Sequence, residues 1–185
     1  MSTFSPIQIR CNGATLTIRS ATVTDAAQLI ELAREVFLTS SHTLTTAAEF
    51  TMTIAQESEL IETLAKRDNA VFLLASFDNT PVASLILSGG AKQKERHVGT
   101  LGVGVHSSAR GKGVGTALMQ ASIDWARNNE VIEMIRLGVY ASNTRAFELY
   151  KRLGFIQCGM LPGGCKHLDG TYHDQIDMYL WVKPH

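Results

Sequence analysis

The segment Val103–Leu118, VGVHSSARGKGVGTAL, holds the residues whose types and spacing point most clearly to chemistry. A strand-like run enters a turn with alternate glycines at Gly111, Gly113 and Gly115, and an amphipathic helix follows. Glycines let backbone N–H groups converge and approach an anion closely. A helix that starts there adds its positive N-terminal end. Arg110 and Lys112 add charge, so the expected ligand is a phosphate or pyrophosphate. Two common phosphate loops do not fit. A Walker loop needs GxxxxGK[ST], but Gly111-Lys112 is followed by Gly113, and the position five before Gly111 is His106. The dinucleotide pattern GxGxxG fails because the spacing here is GxGxG.

What fits is Arg-x-x-Gly-x-Gly at Arg110, Gly113 and Gly115. A second constellation lies downstream in Val139–Phe155, VYASNTRAFELYKRLGF. Asn143 suits the N-cap of a helix. Tyr150 continues an apolar stripe with Ala146 and Leu153, and its phenol can also protonate a thiolate. Together the two segments resemble the GNAT superfamily of N-acetyltransferases, whose loop reads (Arg/Gln)-x-x-Gly-x-(Gly/Ala) and whose second signature reads Asn-x-x-Ala-x-x-x-Tyr-x-x-x-Gly-Phe. The resemblance covers essentially the whole chain.

The resemblance implies acetyl-CoA as co-substrate and a primary amine as acceptor. It assigns cofactor binding to Val103, Gly104 and Val105 on the strand, and to Arg110, Gly111, Lys112, Gly113, Val114, Gly115 and Thr116 in the loop and helix start. Asn143 is expected beside the cofactor, and Tyr150 is the implied general acid. A backbone N–H near Val105 is the expected polariser of the thioester carbonyl. Glycines within the strand, Gly102 and Gly104, independently suggest a close backbone approach.

The base departs from the pattern. Many members carry a Glu eleven positions ahead of the loop's first residue; here that position is Gly99. His97 would share its face in a regular strand and has a suitable pKa, so it is the candidate base or substrate contact. A solvated hairpin histidine is the competing reading, and a water relay would need no base. Tyr172 and Asp174, in the turn-like run DGTYHD, are candidate acceptor contacts; ordinary turn chemistry at Asp169-Gly170 is the alternative. Cys158, Cys165, His167 and His173 do not have common zinc spacing, so no metal is expected. Acceptor specificity is expected in Thr39–Glu57, Gly89–His97 and Cys165–Asp174.

The elements that must position these residues follow from periodicity. Strands are expected at Ala14–Arg19, Ala70–Phe77, Val82–Leu87, His97–Val105, Ile135–Tyr140, Ile156–Met160 and Ile176–Val182. Helices are expected from Ala26 to Phe37 behind a Thr24 or Asp25 cap, over a short span at Leu60–Leu64, from Val114 to Trp125, and from Ala146 to Leu153. A turn is expected at Asn79-Thr80-Pro81. This order predicts one mixed α/β (α+β) domain over residues 1–185, with its core at about 15–183. By the resemblance it is the acyl-CoA N-acyltransferase fold: a mostly antiparallel mixed sheet of about 6–7 strands, about four flanking helices, and a splay at the cofactor strand.

Lys+Arg and Asp+Glu are 17 each, so the net charge is zero, which argues against non-specific nucleic-acid binding. The longest strictly apolar run is Ala70–Ala75, far short of a ~20-residue bilayer span. The opening MSTFSPIQIR has no apolar signal core, and three sparse cysteines make no disulfide framework, so a cytoplasmic location is expected. The leading reading is transfer of acetyl to a small-molecule amine such as an amino acid. A protein N-terminal or lysine acceptor and a non-catalytic acyl-CoA-binding module are the alternatives. Relatives are often dimers, so a homodimer is compatible with the resemblance, and nothing in the composition decides it.

Overall fold

The computed structural model describes residues 4–184; the first three residues of the N-terminal segment, and His185, lie outside it. Strand β1 (Ile7–Cys11) turns into β2 (Ala14–Ser20). Helices α1 (Ala26–Thr39) and α2 (Ile54–Lys66) precede the long hairpin of β3 (Ala70–Phe77) and β4 (Thr80–Gly89). Then come β5 (Val98–Val105), α3 (Val114–Asn128), β6 (Met134–Tyr140), α4 (Thr144–Arg152), β7 (Ile156–Lys166) and β8 (Tyr172–Trp181). They form one sheet of eight strands in the order β1-β2-β3-β4-β5-β6-β8-β7.

The expected architecture holds, with four differences. β1 was not expected, and it raises the sheet to eight strands. α2 spans 13 residues, from Ile54 to Lys66, rather than the short helix expected at Leu60–Leu64. The final hairpin is longer than expected, because Cys165 and Lys166 still pair with His173 and Tyr172 beyond an irregular stretch. The β3–β4 turn sits at Asp78-Asn79, both left-handed, one residue before the expected Asn79-Thr80-Pro81.

Side-chain alternation divides the sheet into two faces. Val71, Leu73 and Ala75 enter one core, which also takes Leu85, Leu101, Ile135, Ile176 and Met178 with Leu118 and Met119 of α3. Ala70, Phe72 and Leu74 enter the other, against Leu29, Leu32 and Val36 of α1 and Ile61 and Leu64 of α2. Being buried on both sides explains why β3 reads as an unbroken apolar run. On the α1–α2 side, the buried core draws on β3 but on no residue of β6, β7 or β8. Among the described residues no helix is long and apolar enough to cross a membrane.

The entry to α1 is fixed by charge. Asp25, 4% exposed, accepts two bonds of 2.7 Å from the Arg19 guanidinium and two more from the Thr22 amide and hydroxyl. The Arg19 bond, followed by those from Thr22, holds its carboxyl at about 2 despite burial. Since an unfolded Asp titrates near 3.9, the stabilisation from this pair is complete above about pH 4 and is lost as pH falls through about 2. Asp25→Ala is expected to cost about 2–3 kcal/mol at pH 7 in urea melts, with the difference from wild type shrinking on acidification.

Candidate active site

β5 and β6 run parallel but pair only at Val98–Met134, Gly99–Ile135 and Thr100–Arg136. Beyond Thr100 the strands part, while β5 stays paired to β4 and β6 to β8. His106 donates to the Val82 carbonyl on β4. Strand alternation therefore turns the backbone groups of Leu101, Val103 and Val105 away from β4, into the opening. Ala141 donates to Asp174 on β8, so by the same alternation Gly138 turns its backbone groups into the opening from the other lip. The slot is lined by peptide donors and acceptors that the sheet leaves unpaired.

At its upper end the slot meets the glycine turn. Gly111 and Gly113 have φ of 83° and 85°, a region that side-chain-bearing residues avoid. Gly113 is the N-cap of α3, and no side chain caps that helix. Its first-turn amides at Val114, Gly115 and Thr116 have no intrahelical acceptor and are free for an anion. Cys11 of β1 buttresses the turn by donating its S–H to the Lys112 carbonyl at 2.9 Å.

Arg110 has work beyond supplying charge. Its Nε donates to the Val105 carbonyl, and its two terminal nitrogens donate to the Thr39 carbonyl and hydroxyl. Glu35 makes a second tie, accepting from the Ser107 amide at 3.1 Å. Burial pushes the Glu35 carboxyl up, but the bonds from Ser107, with smaller help from His106 and Thr39, hold it below the usual range. The end of α1 is thus clamped to the turn. A cavity of about 420 Å³ opens here, lined by Thr39–His42, Arg110 and Ser142–Arg145. Arg145 lies across Gly111, where a Cβ would come within 3.1 Å of its Nη2. Sequence reasoning missed Arg145, although it stands two residues after Asn143.

Asn143 caps α4, its Oδ1 accepting from the Ala146 amide at 3.2 Å, and it also lines the cavity. Tyr150 is 8% exposed and its ring lies 5.9 Å from that of Phe155. Burial raises its pKa, so the phenol stays protonated and able to donate. Its hydroxyl makes no hydrogen bond to another described residue.

The candidate acceptor residues are not brought together. His97 lies outside β5, at the closed end of the slot, where its carbonyl accepts from Glu133 and Met134. Roughly 26 Å of extended chain, at about 3.3 Å per residue, separates it from Val105. Gly99 faces the core, where a Cβ would fall 2.7 Å from Leu87, so no Glu could stand there unchanged. The Gly89–His97 connection is held by Asn69, which donates to the Gly90 and Arg96 carbonyls. Asp174 accepts from the Gly163 amide, and the Tyr172 ring sits under Lys166 Nζ at 5.2 Å. Both alternate with the core side of β8, shared with Ile176 and Met178.

Their neighbours face the other way. His173, Gln175 and Asp177 share the uncovered face with Tyr140, Gly138 and Arg136 of β6. Tyr140 packs against His42 and His167, and the His167 and His173 rings meet at a tilt with centroids 4.0 Å apart. Burial raises the Tyr140 pKa, as does the neighbouring Cys165, whose Sγ lies 3.1 Å from the hydroxyl and whose negative charge, once ionised, opposes a phenolate. Burial, then the charges of His167, His173 and Arg110, lower the pKa of His42. Among the described residues no three His, Cys, Asp or Glu side chains are grouped to hold a metal ion.

The slot, the free amides and the basic rim suit a long ligand with an amide-bearing arm and a phosphorylated end. Gly113→Ala is expected to lower stability by about 1–2 kcal/mol and weaken acetyl-CoA binding. The strain comes from φ, because a Cβ at Gly113 meets only Cys11 Sγ at an ordinary 3.6 Å. Gly115→Ala, inside the helix, is expected to leave both nearly unchanged; denaturant melts and cofactor titration on the two variants check this.

The profile of the Acetyltransferase (GNAT) family matches residues 28–155. Over 94 residues the chain is 32% identical to the L-amino acid N-acetyltransferase AaaT of Escherichia coli, covering 51% of this chain and 58% of that protein. It is 36% identical over 91 residues to an N-alpha-acetyltransferase of Sulfurisphaera tokodaii, covering 49% of each. The chain thus spans about half the length of the curated relatives it matches. Its fold is that of yncA of Salmonella typhimurium, solved with its cofactor acetyl-CoA, at TM-score 0.82 and 21% identity over 92% of this chain and 95% of that one. With a family match over most of its length, a parallel pair that opens into a slot and a glycine turn at the slot's end, this chain belongs to the GNAT family of acetyltransferases.

Proposed function

We propose that this chain transfers the acetyl group of acetyl-CoA to the primary amine of a small molecule, an amino acid by first choice. The observation that carries the reading is the slot, where β5 and β6 stop pairing after Thr100. The E. coli relative's name supports the acceptor class. A protein N-terminus is the second reading, favoured by the name of the archaeal relative.

Acetyl-CoA, when bound, supplies an activated thioester and a thiolate leaving group. The chain's part is to hold, polarise and protonate. Peptide groups of Val103 hydrogen-bond the arm, and the amide of Val105 is the candidate donor to the developing oxyanion. The first turn of α3, with Lys112 and Arg145, takes the phosphates. Asn143 keeps α4 in place beside the slot. The bound ammonium loses one proton to water before it attacks; as the C–N bond forms and the C–S bond breaks, Tyr150, protonated and without a competing hydrogen bond, delivers a proton to the departing sulfur, and the second amine proton passes through water to restore the phenol. His97, at the closed end, has no part in this proposal.

Two results are expected. Tyr150→Phe should lower kcat about 10²–10³-fold with acetyl-CoA binding unchanged; unchanged turnover would remove Tyr150 as the acid. Because burial raises its pKa, the alkaline loss of activity set by Tyr150 should lie above pH 10. Thiol release across amino acids, polyamines, aminoglycosides and short peptides tests the acceptor. Turnover with peptides alone would favour the second reading. Binding of CoA without any turnover would favour a non-catalytic module.

A further inference from the structure

Two charged side chains of opposite sign stand on the uncovered face beside the slot, and the cofactor site described above uses neither of them. Arg136 is exposed on β6, and its Nε donates to the Thr100 hydroxyl at 3.0 Å. That bond spans the last paired rung, so the guanidinium lies across the floor of the opening, and among the described residues its terminal nitrogens make no hydrogen bond. One rung higher, Gly138 pairs with Asp177 of β8. The missing side chain at Gly138 leaves space into which Gln175 and Asp177 lean: a Cβ there would lie 3.0 Å from Gln175 Nε2 and 3.8 Å from Asp177 Oδ1. Gln175 Nε2 donates to Asp177 Oδ1 at 3.4 Å, which steadies the carboxylate over β6. On the opposite lip Gly102 faces the same side, and a Cβ there would meet nothing within 4 Å.

The result is a bare notch, glycine on both lips, with a cation at its base and an anion one rung above. Among the described residues no ion pair joins Arg136 to Asp177. Asp177 lies two residues along the sheet from Arg136, about 6.6 Å, and one strand across, about 4.8 Å, so their Cα atoms stand about 8 Å apart. That separation suits a small zwitterion with a hydrogen bond at each end. An α-amino acid is such a molecule, its ammonium and carboxylate separated by one carbon.

We propose that Arg136 and Asp177 form the acceptor subsite and select α-amino acids: the guanidinium takes the α-carboxylate, and the Asp177 carboxylate takes the ammonium beside the slot. This rests on the acetyl-transfer reading and deepens it. A peptide N-terminus or a polyamine lacks the adjacent carboxylate and leaves Arg136 without its partner.

The test compares an amino acid with its α-amide, in wild type, Arg136→Gln, Arg136→Lys and Asp177→Asn. Wild type should favour the acid in kcat/KM by about 10–100-fold, as expected for a charge-assisted contact. Arg136→Gln should abolish that preference by raising KM for the acid alone, and Arg136→Lys should restore part of it. Asp177→Asn should raise KM for both acceptors. Acetyl-CoA titration should be the same in all four proteins, which excludes misfolding. A preference that survives in Arg136→Gln overturns the subsite while leaving acetyl transfer standing. Calorimetric titration of the amino acid into the CoA-bound protein separates the remaining cases. Arg136-dependent binding without turnover supports the subsite and sinks the transfer reading. No binding and no turnover with any amino acid, beside turnover of other amines, overturns the subsite only.

Discussion

The parallel ladder between β5 and β6 ends after three pairs, and the rest of the site depends on that break. Buried peptide groups without partners are costly, so a sheet does not open without reason. Here the reasons are local. Gly102, Gly104 and Gly138 give the flanking strands little to pack together. The Arg136 bond to Thr100 closes the paired end, and Arg110 and Glu35 clamp the far end to α1. What remains is a row of oriented peptide dipoles that a ligand satisfies without reorganising the fold.

In the proposed reading the sheet also separates the two substrates. On the side of α3 and α4 lie the glycine turn, Asn143 and Tyr150, which that reading gives to the cofactor. On the other side α1 and α2 cover the strands only as far as β5; His42 and His167 close over Tyr140, and Arg136 and Gly138 of β6 stay exposed with Asp177 of β8. Because side chains alternate, one strand serves both: Ile176 and Met178 fill the core while Gln175 and Asp177 face the notch. The slot is the place where the two sides communicate.

How much of this was legible in the sequence follows from how local each feature is. The glycine turn, the α4 cap and Tyr150 depend on residues a few positions apart, and the chain spells them out. β1 carried a signal too: Asn12-Gly13, both left-handed, is the residue pair that two-residue hairpins favour. The acceptor face was not legible, because it depends on strand parity and register. Tyr172 and Asp174 were the expected contacts, yet His173, Gln175 and Asp177 point to that face; a shift of one residue exchanges the sides. His97 was expected on a regular strand, but pairing of its carbonyl with the chain before β6 sets it at the closed end. Arg110 reads as a phosphate ligand, and three of its five N–H donors also tie Val105 and Thr39 together. No local pattern announces a contact 71 positions away.

Amide hydrogen exchange along β5, with and without acetyl-CoA, tests the slot most directly. Gly102 and Gly104 turn their amides to β4 and should exchange slowly in both states. Val103 and Val105 should exchange fast in the free protein and slow sharply when acetyl-CoA is added. Slow exchange at Val103 and Val105 before any ligand is present, or no change on its addition, would contradict a slot built from unpaired backbone.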